Sequence, residues 1–124
     1  HNKAVELCNT ELFVCVDSDD ILTNNAVEII INYWKNDRNK NVDFVAYCSR
    51  RGDLLGNPTG KRWIDDERKI SFFDLYEKHK YRGELVLIWI TKILKHIVFL
   101  YLNMKNLLQK MCYIIKFRMI SLLN

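Results

Sequence analysis

Apolar residues change their spacing several times along the chain, and each change predicts an element. Ala4, Val5 and Cys8 recur at helical intervals within 2–8, which read as the last turns of a helix. From Glu11 to Val16 the chain is almost wholly apolar. The β-branched and aromatic content of Leu12-Phe13-Val14-Cys15-Val16 predicts a strand buried on both faces, as in a parallel sheet covered by helices. The run stops at Asp17-Ser18-Asp19-Asp20, residue types that favour turns and caps. Thr23 or Asn24 is placed to cap a helix running to about Asn36, with Ala26, Ile29, Ile30 and Tyr33 as its buried stripe.

Polar residues 36–41 form a loop, and Val42 to Ser49 predicts a second strand. Phe44, Ala46 and Cys48 share one face of it, and Val45 and Tyr47 the other. Residues 50–69 hold three of the four glycines and the only proline, an irregular connection. Ser71-Phe72-Phe73-Asp74 has the spacing of a capping box opening a short helix through about His79. Helices alternating with strands predict an α/β domain. Leu85 to Leu102 is apolar apart from Thr91, Lys92, Lys95 and His96, close to the roughly 20 residues of a bilayer span. Lysines at the centre of a span cost about 2.5–3.5 kcal/mol each, which disfavours crossing. Two readings stay open: a basic amphipathic helix in peripheral contact with a membrane, or a poorly packed helix with Leu and Ile on most faces.

Composition sharpens this division. A chain of 124 residues has room for one domain, and 49% hydrophobic with 27% charged residues is a globular balance. The net charge of +4 is unevenly placed. All 15 acidic residues lie at or before Glu84, where thirteen Lys and Arg nearly balance them, while the last forty residues carry six Lys and Arg and no acid. The expected organisation is therefore an α/β unit over 1–94 and a basic, hydrophobic, helical tail over 95–124. Four cysteines without a Cys-x-x-Cys pair argue against structural zinc and fit a reducing cytoplasm, with Cys8 and Cys15 as core thiols. With the positive charge confined to the tail, no nucleic-acid partner is expected.

The acidic turn carries the chemistry. Two carboxylates about 4 Å apart repel by about 4 kcal/mol at an effective dielectric near 20, and a divalent cation turns that repulsion into attraction. Oxygen ligands of this kind suit Mn²⁺ or Mg²⁺, which take one or two protein carboxylates and complete the shell with substrate phosphates. Asp-x-Asp is a short pattern, and Asp also caps helices. Its place at the end of a predicted strand, where open α/β sheets bind ligands, is what distinguishes it here.

Three stretches bear a resemblance: Asn2 to Leu7, Glu11 to Leu22 around Asp17-Ser18-Asp19-Asp20, and Asn25-Ala26-Val27-Glu28. Together they resemble the central signature of family 2 glycosyltransferases, with Ala4 and Thr10 standing where that family often has glycine. Gly56 to Trp63, Ile70 to Tyr76 and Gly83 to Trp89 look like a bacterial subgroup of these enzymes. The resemblance implies a partial GT-A fold, Rossmann-like and built for nucleotide-diphospho-sugars. It also implies transfer of a sugar to a glycan or lipid-linked acceptor in cell-surface polysaccharide synthesis, at the inner face of the membrane. It gives Asp17 and Asp19 the metal and donor, with Asp20 behind them. Arg50, Arg51, Lys61, Arg62 and Trp63 read first as solvated loop charges, with a basic, aromatic-edged lip for the donor as the alternative.

Two family parts are not found: an earlier base-recognising βαβ region, and a catalytic Glu-Asp pair some ninety residues beyond the metal motif. Glu84, placed at a strand's start, is the one catalytic candidate, and Trp63 and Trp89 could stack on a sugar or simply pack. The expectation is an internal piece of an enzyme, inactive as it stands. Back-translation of His96 to Lys116 in another frame permits a peptide containing a Glu-Asp pair, so the tail is expected to be out of frame. The alternative function is a non-enzymatic α/β cation-binding module with a membrane-associating basic helix.

Overall fold

A computed structural model describes residues 2–59, 69–78, 80, 84–104, 106 and 115–122. Its elements are α1 (Asn2–Leu7), β1 (Leu12–Val14), α2 (Ala26–Asp37), β2 (Ala46–Arg50), β3 (Lys69–Ser71), a π-helical turn (Asp74–Lys78), β4 (Leu85–Ile90), α3 (Thr91–Asn103) and β5 (Lys116–Met119). The five strands form one open sheet in the order β1-β4-β2-β5-β3. Only the β2–β5 pair is parallel; β1–β4, β2–β4 and β3–β5 are antiparallel. The α/β class is as expected, but the sheet is mixed rather than parallel.

Each face of the sheet has its own core. On one, Ala26 and Ile30 of α2 pack with Phe44, Tyr47, Ile88, Ile90, Ile120 and Leu122. On the other, Leu75 of the π-helical turn packs with Ala46, Cys48, Ile70, Phe117 and Met119. Strand β4 supplies both faces alternately, Val86, Ile88 and Ile90 to the first and Leu85, Leu87 and Trp89 to the second. Its unbroken apolar sequence is what a strand covered on both sides requires.

Several expectations are corrected. The apolar run after Glu11 forms only a three-residue strand at one edge of the described sheet, half-buried rather than covered on both faces. Neither Thr23 nor Asn24 caps α2. Asn25 holds the cap position without a side-chain capping hydrogen bond to the helix, and the Thr23 hydroxyl donates to the Leu122 carbonyl at 3.1 Å. Phe44 and Val45 lie on the opposite faces from those assigned by strict alternation, because the chain bends at Val45 before β2 begins. Of the capping box, one half forms: the Asp74 amide donates to Ser71 Oγ at 3.1 Å. His79 lies outside the described residues.

The largest change concerns the second half of the chain. A strand does begin after Glu84, as expected, so Leu85 to Leu102 is not one helix: β4 ends at Ile90, which keeps extended backbone angles, and α3 begins at Thr91. No helix among the described residues is long and apolar enough to cross a membrane. Nor is the segment after Lys95 helical throughout. Lys116–Met119 is a strand inserted between β2 and β3, and Phe117, Met119, Ile120 and Leu122 are all buried. Cys15 is exposed and Cys8 half-buried, so neither is a core thiol, whereas Cys48 is fully buried.

Candidate metal centre

Strand directions decide what meets at the site. β1, β2 and β5 run one way and β4 the other, so the ends of β1, β2 and β5 converge with the start of β4 at one edge of the sheet. Following β1, the chain turns at Asp17–Asp20, closed by the Asp20 amide donating to the Asp17 carbonyl at 3.0 Å. Carboxylate oxygens of Asp17, Asp19 and Asp20 lie within 4.8 Å of one another. Arg50 ends β2 and Arg51 follows it; Glu84 immediately precedes β4. Leu122, beyond β5, is anchored by its amide donating to Ser49 Oγ at 3.2 Å.

These ends enclose a cleft of about 700 Å³ whose lining includes Asp17, Asp19, Asp20, Arg50, Arg51 and Asp53. Asp17 and Asp19 are exposed and Asp20 is half-buried. Solvent at Asp17 and Asp19 screens their mutual repulsion towards the aqueous limit of about 1 kcal/mol, and their exposed oxygens are open to a cation. Thr23 and Ala26 bring the N-terminal turn of α2 to the same cleft. The positive end of its dipole thus adds to the attraction for an anion.

Arg51 ties the site together. Its guanidinium is ion-paired to Asp20 through one terminal nitrogen, and through the other donates to Glu84 at 2.8 Å. Residues more than sixty positions apart are joined by this clasp, which no spacing in the sequence announces. Glu84 is largely exposed, engages Arg51, and does not itself line the cleft. Opposite, the Asp53 carboxylate accepts from the Leu55 and Asn57 amides, both at 2.9 Å, and bends the chain into a tight turn. Gly56 completes that turn at φ +83°, a left-handed conformation that favours glycine.

Of the residues expected at the site, Asp17, Asp19 and Asp20 come together with Arg50 and Arg51. Lys61, Arg62 and Trp63 lie outside the described residues. Trp89 packs in the core with its ring edge-on to Phe117, centroids 6.2 Å apart. Comparison with protein-family models, with curated proteins and with solved structures finds no match for the chain.

Proposed function

We propose that this cleft binds Mn²⁺ or Mg²⁺ together with the diphosphate of a nucleotide sugar, and that the chain is the donor-binding corner of a metal-dependent glycosyltransferase. The observation that carries this reading is the convergence of three carboxylates and two arginines on one cleft at the strand ends. A surface that served only a cation would gain nothing from guanidinium groups beside it, and one that served only an anion would not present Asp17 and Asp19. A metal–diphosphate pair uses both signs. The carboxylates would hold the cation together with substrate phosphates, and the arginines would meet the remaining negative charge.

In a sugar transfer, negative charge grows on the departing diphosphate as the bond from the anomeric carbon breaks. The bound cation supplies electrophilic stabilisation of that charge. Asp17 and Asp19 would hold it, and Arg50, Arg51 and the α2 terminus would add favourable potential for the departing anion. The sugar acceptor, a glycan or lipid-linked molecule, follows from the sequence resemblance alone. No general base is assigned, and the chain as it stands is expected to bind donor without turning it over.

A second reading, a cation-binding module that adheres to membranes without enzymatic function, draws on the exposed apolar residues Phe99, Tyr101, Leu102 and Met104 at the end of α3. Titration calorimetry with MnCl₂, with and without uridine diphosphate, separates the two. The transferase reading expects Mn²⁺ binding that strengthens with the nucleotide and is lost in Asp19→Ala. Mn²⁺ binding indifferent to the nucleotide favours the module, and no Mn²⁺ binding removes both.

A further inference from the structure

Helix α3 turns one side to the core and carries a second pattern on the other. Thr91 and Leu94 are buried, and Ile93 packs against the first core. The exposed positions Lys92, Lys95, His96, Phe99, Leu102 and Asn103 recur at spacings of three and four and so share the outer face. A face that met only water would be polar along its whole length. This one is cationic over its first turns and apolar over its last, where Phe99 is 59% and Leu102 60% exposed. Tyr101 and Met104, also exposed, add to the same end. The two halves meet where the His96 and Phe99 rings lie 6.5 Å apart. Among the described residues neither Lys92 nor Lys95 has an ion-pair partner, and no acidic residue follows Glu84 in the chain.

We infer that this face docks the chain on an anionic lipid bilayer, with α3 lying among the headgroups. The inference takes up the membrane contact of the second reading and gives it residues and a lipid chemistry. It rests on α3 alone and on no residue of the cleft. Charge chooses the occupant: lysines without neighbouring acids complement a surface of phosphodiesters that carries net negative charge, and each one near such a surface strengthens binding several-fold. Phe99 and Leu102, held out to solvent, gain by burial in the acyl boundary beneath those headgroups. A helix of 13 residues is about 20 Å long, short of the roughly 30 Å of a bilayer's hydrocarbon, so it lies on the membrane rather than through it. The division along its axis sets the tilt. The C-terminal end enters deepest, while Lys92 and Lys95 stay level with the phosphates and extend their apolar stems along the boundary.

The test is co-sedimentation of the full chain, in EDTA, with vesicles of phosphatidylcholine alone or of phosphatidylcholine with phosphatidylglycerol. Thermal melts establish that each variant is folded. The native chain is expected to bind the anionic vesicles, to leave the zwitterionic ones free, and to weaken as sodium chloride is raised. Lys92→Gln with Lys95→Gln is expected to weaken binding on the order of tenfold. Phe99→Ser with Leu102→Ser is expected to weaken it at low and high salt alike. Lys35→Gln with Lys40→Gln removes the same charge at and beyond the end of α2 and is expected to bind as the native chain does. Equal binding to both vesicles, or to neither, overturns the inference, and so does a Lys35/Lys40 variant weakened as much as the Lys92/Lys95 one, since net charge alone would then be acting. A Phe99/Leu102 variant that binds natively overturns it too. The Lys92/Lys95 and Phe99/Leu102 variants are expected to keep native Mn²⁺ and uridine diphosphate affinities, so a failure at the vesicles and a failure at the cleft are read separately.

Discussion

Burial pushes the Cys48 thiol up to about 12, whereas at Cys8 the Thr10 hydroxyl, 3.1 Å from the sulfur, draws the thiol below its ordinary value by hydrogen-bonding the thiolate. Near neutral pH an alkylating reagent is expected to label Cys8 and to spare Cys48 in the native state. Thr10→Ala removes the donor, so the pH midpoint of Cys8 labelling moves upward; mass spectrometry of labelled peptides reads both effects, and an unmoved midpoint would refute the assignment. A second local network ties α2 to β5. Asp37 Oδ2 accepts from the Tyr47 hydroxyl at 2.7 Å and from Arg118 Nε at 2.9 Å, and the Arg118 guanidinium lies 5.3 Å from the centre of the Tyr33 ring. Both charged side chains are largely buried, 13% and 14% exposed. Removing one partner strands the other, and Arg118→Met is expected to destabilise the fold by about 3 kcal/mol. Replacing the pair together, Asp37→Leu with Arg118→Met, is expected to recover much of that loss in urea unfolding.

Strand β5 shows where elements were legible and where composition misled. Ile115, Phe117 and Met119 alternate with Lys116 and Arg118, a period of two that specifies a half-buried strand, yet the absence of acids and the abundance of Ile and Leu drew the whole segment into a helical tail. As a strand it fills the sheet between β2 and β3, so Phe117→Ala is expected to cost about 3 kcal/mol in thermal unfolding. A loosely packed tail would show almost no change. The β4–α3 boundary was hidden for a different reason. A continuous apolar run fits a buried strand and a buried helix alike, and only pairing with β1 and β2 chooses between them. By contrast, α2 is legible from its stripe, since Ala26 and Ile30 recur at helical spacing and are both buried. The edge position of β1 is a property of sheet order, which no local pattern encodes.

At the scale of the molecule, strand direction makes the site. With β1, β2 and β5 pointing one way and β4 the other, Asp17 to Asp20, Arg50 with Arg51, Glu84 and Leu122 are brought to a common edge from four separate stretches of sequence. The sequence identified the acidic turn because clustered charge after an apolar run is a local signal. It could not assign Arg51 to Asp20, because that pairing exists only once β4 lies between β1 and β2. The central claim is that this edge holds a cation and a diphosphate at once, and NMR with trace Mn²⁺ in the presence of uridine diphosphate locates the metal most directly. Paramagnetic broadening is expected first at the amides of residues 16–22 and 50–53, and to disappear there in Asp19→Ala. Broadening that begins elsewhere, such as around Glu6 or Glu28, or that is unchanged by Asp19→Ala, would contradict the account.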